Sequence, residues 1–201
     1  MKENIILFDW DDTLFSKVEY KKNLRGNLAR ICEVSEEEIF ETENKYFDSL
    51  ERSDDFTIEN FLESFNQKFD KKIKLEDFNS DKLGIYSTAL FSETIYVLNI
   101  LKETATLGAC TQGFTSLQKI KIYSSGVGDC FDENFIFINR NKLDPDFIKT
   151  LPDGATIIDD KKEVVEKLNE TGKFIVIWLN RNTDEKMEGI RTIRKLDELI
   201  V

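Results

Sequence analysis

Five short apolar runs punctuate the chain: Ile5-Ile6-Leu7-Phe8, Ala105 to Cys110, Phe135-Ile136-Phe137-Ile138, Ala155 to Ile158, and Phe174 to Leu179. Each is followed by polar or turn residues, and their near-continuous apolarity predicts strands covered on both faces, as in a parallel sheet. Between them lie helical patterns. Glu93 to Glu103 carries apolar Ile95, Leu98 and Leu101, and Lys161 to Thr171 carries Val164, Val165 and Leu168 before Gly172. Strands alternating with helices predict an α/β doubly wound, Rossmann-like fold with a parallel sheet.

Residues from about Phe15 to Ala89 break that rhythm, with amphipathic helical patterns and no strand signal. Ser35 and Glu38 have the spacing of a capping box, and Thr57 is a candidate N-cap before Phe61, Phe65 and Phe69, which recur every four residues along one face. Eight of the sixteen phenylalanines fall here, enough to pack a small core. The expected organisation is therefore an α/β core from residues 1–14 and 90–201, with an inserted all-α subdomain at 15–89.

Composition narrows the chemistry. The chain has 201 residues, room for one core and one insertion. Its formal charge of −11 disfavours nucleic-acid polymers and anionic membrane surfaces, and no basic patch is evident along the sequence. No run approaches membrane-spanning length, and the opening apolar run is too short for a signal peptide. Cys32, Cys110 and Cys130 are scattered and odd in number, as expected of core thiols in a reducing cytoplasm. Histidine is absent altogether, which removes Ser-His-Asp and Cys-His machinery and the usual metallohydrolase ligands. A cysteine phosphatase loop needs arginine six residues after its cysteine, and those positions hold Glu38, Ser116 and Ile136. Any catalysis falls to carboxylates.

The candidate carboxylates sit at strand ends, where ligands bind in open α/β sheets. Asp9 and Asp11 follow the first apolar run, and an extended chain points both the same way. Two such charges need a cation or a shared proton, unless they form a solvated turn. Magnesium takes oxygen ligands of this kind. A second pair, Asp159 and Asp160, ends the run at 155–158 and meets the first if the two strands are neighbours; Asp160 could also cap the helix beginning near Lys161, a role compatible with binding a metal. Thr111, with Gln112 and Gly113, ends the second run and offers a hydroxyl and backbone N–H groups to phosphate oxygens. Lys142 could neutralise charge gathered there, or lie on the surface.

In this order the four elements resemble the haloacid dehalogenase (HAD) superfamily, most of whose members hydrolyse phosphate monoesters. Asp9, Asp11 and Thr13 match its first motif, Thr111 its second, Lys142 its third, and Asp159 and Asp160 its fourth. Gly126 to Asp132 is similar to the stretch before the third motif, and Ile193 to Leu199 to the usual closing helix. The insertion at 15–89 stands where helical caps of the C1 type occur. Three positions depart from the pattern: Asp12 stands where glycine is common, Leu143 replaces the first proline after the lysine, and Val164 replaces an acid or amide four residues after Asp160. Whether Asp159, Asp160 or Glu163 is the main metal ligand of that element stays open.

The resemblance implies a cytoplasmic, Mg²⁺-dependent phosphatase acting on a small phosphorylated metabolite, such as a sugar phosphate or nucleotide. Asp9 would attack phosphorus, with Asp11 as acid and base. Thr111, Gln112, Gly113 and Lys142 would hold the phosphoryl group. Asp9, the Asp11 carbonyl, Asp159 and Asp160 would hold the metal. Rivals fare worse. A phospho-receiver module has its Thr and Lys after both acidic elements, and an EF-hand needs Gly and Glu where Leu14 and Tyr20 stand. A glycosyltransferase DxD follows a nucleotide-binding half that residues 1–8 cannot supply. A regulatory protein that keeps the HAD fold without useful turnover is the different-class alternative.

Overall fold

In the computed structural model, which describes residues 4–50 and 56–200, the chain forms two compact units. The first comprises residues 1–16, 90–113 and 127–201, and the second residues 17–89 and 114–126. The opening residues 1–3, ahead of the first apolar run, and 51–55, inside the expected helical insertion, lie outside the described residues.

The first unit is built on a six-stranded sheet of β1 (Ile5–Phe8), β2 (Thr106–Gln112), β3 (Ile136–Asn139), β4 (Thr156–Asp159), β5 (Ile175–Leu179) and β6 (Arg191–Ile193). Its order is β3-β2-β1-β4-β5-β6, and every pair is parallel. This is the expected doubly wound α/β architecture, with β1 at the centre. Leu7, Cys110, Ile157, Val164, Leu168 and Trp178 belong to one buried cluster that joins the sheet to the helices packed on it. Gly108 in β2 is dictated by contact: a Cβ there would lie 2.4 Å from the Phe135 carbonyl oxygen.

β6 carries no apolar run and so leaves no strand signal in the sequence. The closing stretch also differs from the expected helix. Arg191, Thr192 and Ile193 pair with Ile177, Trp178 and Leu179, and only a short 3-10 turn, Leu196–Leu199, follows. Glu198 accepts the Arg194 and Lys195 amides at 2.7 and 3.1 Å, tying that turn into a box.

The second unit is helical: α1 (Lys17–Cys32), α2 (Glu36–Asp48), α3 (Ile58–Phe69) and α4 (Leu75–Asn79), joined by α6 (Thr115–Ser124) from further along the chain. The helix α5 (Thr94–Leu101) precedes β2 in the first unit. Ser35 and Glu38 form the reciprocal capping box, and Thr57 Oγ1 accepts the Asn60 amide. Phe61 and Phe65 are buried along α3, and Phe47, Phe56 and Phe114 stack into the same aromatic core. Ser116 donates to the Phe56 carbonyl at 3.3 Å and Ser124 to the Asn79 carbonyl at 2.5 Å, which fastens α6 to these helices. The remaining helices of the first unit are α7 (Pro145–Thr150) and α8 (Lys162–Glu170).

Among the described residues no helix is long and apolar enough to cross a membrane. All three cysteines are free thiols.

Candidate active site

Strand register assembles the site. Phe8 pairs with Ala109 on one side and Ile158 on the other, so Asp9 and Asp159 emerge side by side at the carboxyl end of the sheet. The Asp9 amide extends the ladder one step, donating to the Ile158 carbonyl at 2.8 Å. Asp9 is 5% exposed and Asp159 1%. Oxygens of Asp9, Asp159 and Asp160 all lie within 4.8 Å of one another.

Lys142, 2% exposed, donates to both carboxylates: to Asp9 Oδ1, and to Asp159 Oδ2 at 2.5 Å. Its backbone is held by a chain of side-chain acceptors. Asn139 Oδ1 accepts the Asn141 amide at 2.8 Å, Asn141 Oδ1 the Leu143 amide at 3.0 Å, and Asp144 Oδ1 the Asp146 amide at 2.8 Å. Asp144 thereby caps α7, which begins with Pro145. Leu143, the departure from the proline pattern, uses an N–H that proline lacks.

Asp160 is not a helix cap. The N-cap of α8 is Lys161, whose amide donates to Asp159 Oδ1 at 2.9 Å. Asp160 Oδ1 is buried with no hydrogen-bond partner. Trp178 Nε1 donates to the Asp160 carbonyl at 2.9 Å and fixes its backbone. Glu163 is exposed on α8 and outside the carboxylate group, while Val164 packs into the core.

Three carboxylates against one ammonium leave this buried cluster short of positive charge. Burial pushes the Asp9 carboxyl up to about 8; Lys142 opposes the rise, while Asp159 and Asp160 add to it. Burial, with Asp159 and Asp12 nearby, likewise lifts Asp160 to about 6. Burial works against the Lys142 ammonium, but Asp9 and Asp159 raise its pKa overall. An all-oxygen donor set with an orphaned carboxylate oxygen and a charge deficit fits a hard divalent cation such as Mg²⁺.

The other expected residues fall as follows. The extended strand stops at Phe8, and the chain turns over Trp10 to Phe15, with the Leu14 and Phe15 amides donating to the Trp10 carbonyl at 3.0 and 3.1 Å. Asp11 lies in this turn, half-buried, and its carboxylate stands outside the group formed by Asp9, Asp159 and Asp160. Asp12 has φ 67°, a left-handed conformation that glycine adopts without strain. Thr111 is fully buried at the end of β2, and its Oγ1 has no hydrogen-bond partner. Gln112 is exposed. The Gly113 amide donates to the Asn139 carbonyl at 3.0 Å, so in this conformation it is already engaged.

Several positioning residues escape a sequence reading. Arg181 donates to the Thr13 carbonyl at 2.8 Å and to Glu93 at 2.7 Å, and its guanidinium lies 3.8 Å from the Phe91 ring centroid. It anchors the turn after Asp9 from 168 residues away, with no local signal. The asparagines around Lys142 do leave one: short acceptor side chains at 139, 141 and 144 match successive Asx turns.

No family profile and no curated protein sequence matches this chain. Solved structures do. A HAD phosphatase from Thermococcus onnurineus is 21% identical, covering 98% of this chain and 95% of that one at a TM-score of 0.58. The HAD hydrolase YfnB from Bacillus subtilis, solved bound to magnesium, is 16% identical over 99% and 97%, with a TM-score of 0.61. A 2-haloacid dehalogenase from Pseudomonas syringae pv. Tomato DC3000 is 16% identical over 98% and 96%, with a TM-score of 0.59. At these identities the likeness is one of fold.

Proposed function

We propose that this chain, which has the haloacid dehalogenase-like fold, is a Mg²⁺-dependent phosphatase of small phosphate monoesters. The observation that carries this reading is the cluster of buried Asp9 and Asp159 with half-buried Asp160, in which a single ammonium, Lys142, binds the first two and leaves an Asp160 oxygen without a partner. Asp9, Asp160 and Asp159 would hold the cation, together with the backbone carbonyl of Asp11. When bound, Mg²⁺ supplies charge that offsets the phosphoryl oxygens and the crowded carboxylates.

The chain's own groups do the rest. An Asp9 carboxylate oxygen forms a bond to phosphorus as the bond to the leaving alcohol breaks, and Asp11 gives that alcohol its proton. Asp11 then takes a proton from water, whose oxygen attacks the aspartyl-phosphate and releases inorganic phosphate and free Asp9. Lys142 holds the nucleophile in place and balances its charge. Thr111 Oγ1, with its open hydrogen-bonding valence, would donate to a phosphoryl oxygen, with the Gln112 amide beside it. The helical unit would serve as a C1-type cap that selects the leaving group. Buried Cys32 and Cys110 thiols agree with a cytoplasmic setting.

A dehalogenase also occurs among the similar folds. Halide, however, leaves as a stable anion that needs no proton, and attack on carbon creates no phosphoryl charge for a cation to offset. The positive-charge deficit at Asp9, Asp159 and Asp160 therefore favours phosphoryl transfer.

The test is phosphate release from a panel of sugar phosphates, nucleotides and other phosphorylated metabolites with Mg²⁺. Chelation should abolish it, and Asp9→Asn should lower kcat about 10³-fold or more with the fold intact. Release indifferent to both would sink the mechanism. Halide release from a 2-chloro acid, with no phosphate released from any ester, would assign the site to dehalogenation.

A further inference from the structure

The carboxylates at the strand ends are fixed unequally. Lys142 donates to Asp9 Oδ1 and to Asp159 Oδ2, and the Lys161 amide donates to Asp159 Oδ1 at 2.9 Å, so both oxygens of Asp159 are engaged. Asp160 Oδ1 is buried with no hydrogen-bond partner, although it belongs to the same 4.8 Å group. Like charges this close repel, and the least restrained carboxylate is the first to move away when no cation holds it. Its backbone must keep Asp160 in range.

That backbone belongs to neither flanking element. β4 ends at Asp159, and the first amides of α8 return to the Lys161 carbonyl, from Val164 at 3.0 Å and Val165 at 3.1 Å. The Asp160 carbonyl lies between them and accepts Trp178 Nε1 at 2.9 Å. Trp178 is a rigid support. It pairs in register with Asp159, is 5% exposed, and shares a buried cluster with Val164, Val165 and Leu168 of α8. The Lys162 ammonium lies 5.9 Å from its ring centroid and is itself paired with Glu185.

Burial alone does not explain this bond. The chain's other tryptophan, Trp10, is fully buried with its Nε1 unpartnered. The fold therefore leaves one indole N–H idle next to Asp9 and engages the other on the segment that carries Asp160.

We propose that Trp178 is a positioning residue for the metal: by holding the Asp160 carbonyl, its indole N–H keeps the Asp160 carboxylate within reach of a cation shared with Asp9 and Asp159. The inference rests on the reading of this cluster as a Mg²⁺ site. Its physical basis is preorganisation. A ligand segment fixed before binding leaves the ion less ordering to impose, and losing a hydrogen bond that supports a ligand lowers metal affinity about 10–100-fold.

The test is titration of the full chain with magnesium chloride alone, followed by proton–nitrogen NMR of the indole and backbone amide groups. In the wild type the Trp178 indole signal and the Asp160 amide should shift saturably and together. Trp178→Phe keeps an aromatic ring but removes the donor, and should raise the Mg²⁺ dissociation constant about tenfold or more, read from the Asp160 amide. Ile177→Val, at a buried neighbour in β5, should lower the melting temperature yet leave that constant unchanged, because a weaker fold does not by itself alter the affinity of the folded state. A Trp178→Phe constant within about twofold of wild type, or an equal loss in Ile177→Val, overturns the positioning role and leaves the Mg²⁺ reading intact. If Trp178→Phe does not fold, the wild type decides: a Trp178 indole signal that stays still while the Asp160 amide saturates overturns the role as well. A wild type with no saturable shift at all overturns the Mg²⁺ reading and the inference with it.

Discussion

Lys142 and Asp159 are joined at 2.5 Å inside the protein, and the remaining Asp159 oxygen accepts the amide that opens α8. One carboxylate thus fixes both the ammonium and the start of the helix that follows β4. Lys142 in turn binds Asp9, so three separate strand ends are tied through a single nitrogen.

Removing that nitrogen leaves two buried carboxylates without their cation. Lys142→Met should lower stability by about 3 kcal/mol or more, measured by urea unfolding at neutral pH. Part of the loss should return with excess Mg²⁺, because a divalent ion offsets the same charge and binds only the folded chain. A loss that Mg²⁺ does not touch would mean that the cluster does not hold the ion.

Arg181 gives an acid-side prediction. Burial alone would raise the Glu93 carboxyl, but the Arg181 hydrogen bond takes it below its ordinary 4.5 overall. A depressed carboxyl contributes stability that is present above about pH 4.5 and lost as pH falls through the lower folded value. Arg181→Gln should therefore flatten the acid limb of the stability profile. It should also cost about 2 kcal/mol, since it strips a charged hydrogen bond from Glu93 and a donor from the Thr13 carbonyl. If that turn serves catalysis, kcat falls while KM changes little.

Asp12 is held at φ 67° in the turn between Asp11 and Thr13. Asp12→Gly should be neutral or stabilising and Asp12→Ala should cost about 1 kcal/mol, because alanine lacks the local hydrogen bonding that lets aspartate occupy this region. Thermal unfolding of the pair measures the difference. Equal melting temperatures would contradict the backbone assignment.

Tyr86 is fully buried, stacks on Tyr20 at 5.8 Å, and its hydroxyl has no hydrogen-bond partner. Tyr86→Phe should be neutral or raise stability by about 1 kcal/mol at neutral pH, since it removes an unsatisfied buried group. Burial first, then Tyr20 and Asp81, keep the phenol neutral well above its ordinary 10.0. Its contribution is therefore intact below pH 10 and lost as the unfolded chain ionises above it. The wild type should lose stability on that alkaline limb, and Tyr86→Phe should lose less. Cys110, pushed up to about 12 by burial, adds a decline of the same sign beginning near pH 9.0.

Local rules made much of the molecule legible. Apolar runs of four or more residues announced five strands; the inner ones are covered on both faces and need no polar positions, while β3, half-buried at the sheet edge, shares the apolar pattern. β6 escaped because an edge strand of three residues, Arg191–Ile193, is stabilised by pairing to β5 and not by its own pattern. The capping box at Ser35 and Glu38 was readable because its partners lie three residues apart.

By itself the sequence determined which side chains were available: acids at two strand ends, a hydroxyl at a third, and no histidine. Only the tertiary structure decided which of them meet. Lys142 lies 133 residues from Asp9 and 17 from Asp159, and the parallel order around β1 makes them neighbours. It also turned Asp11 out of the carboxylate group by ending the strand at Phe8, and committed the Gly113 amide to Asn139. The physical reason is the same in each case. Propensity and periodicity act over a few residues, whereas burial, charge compensation and hydrogen-bond satisfaction act on whatever the folded chain brings into contact.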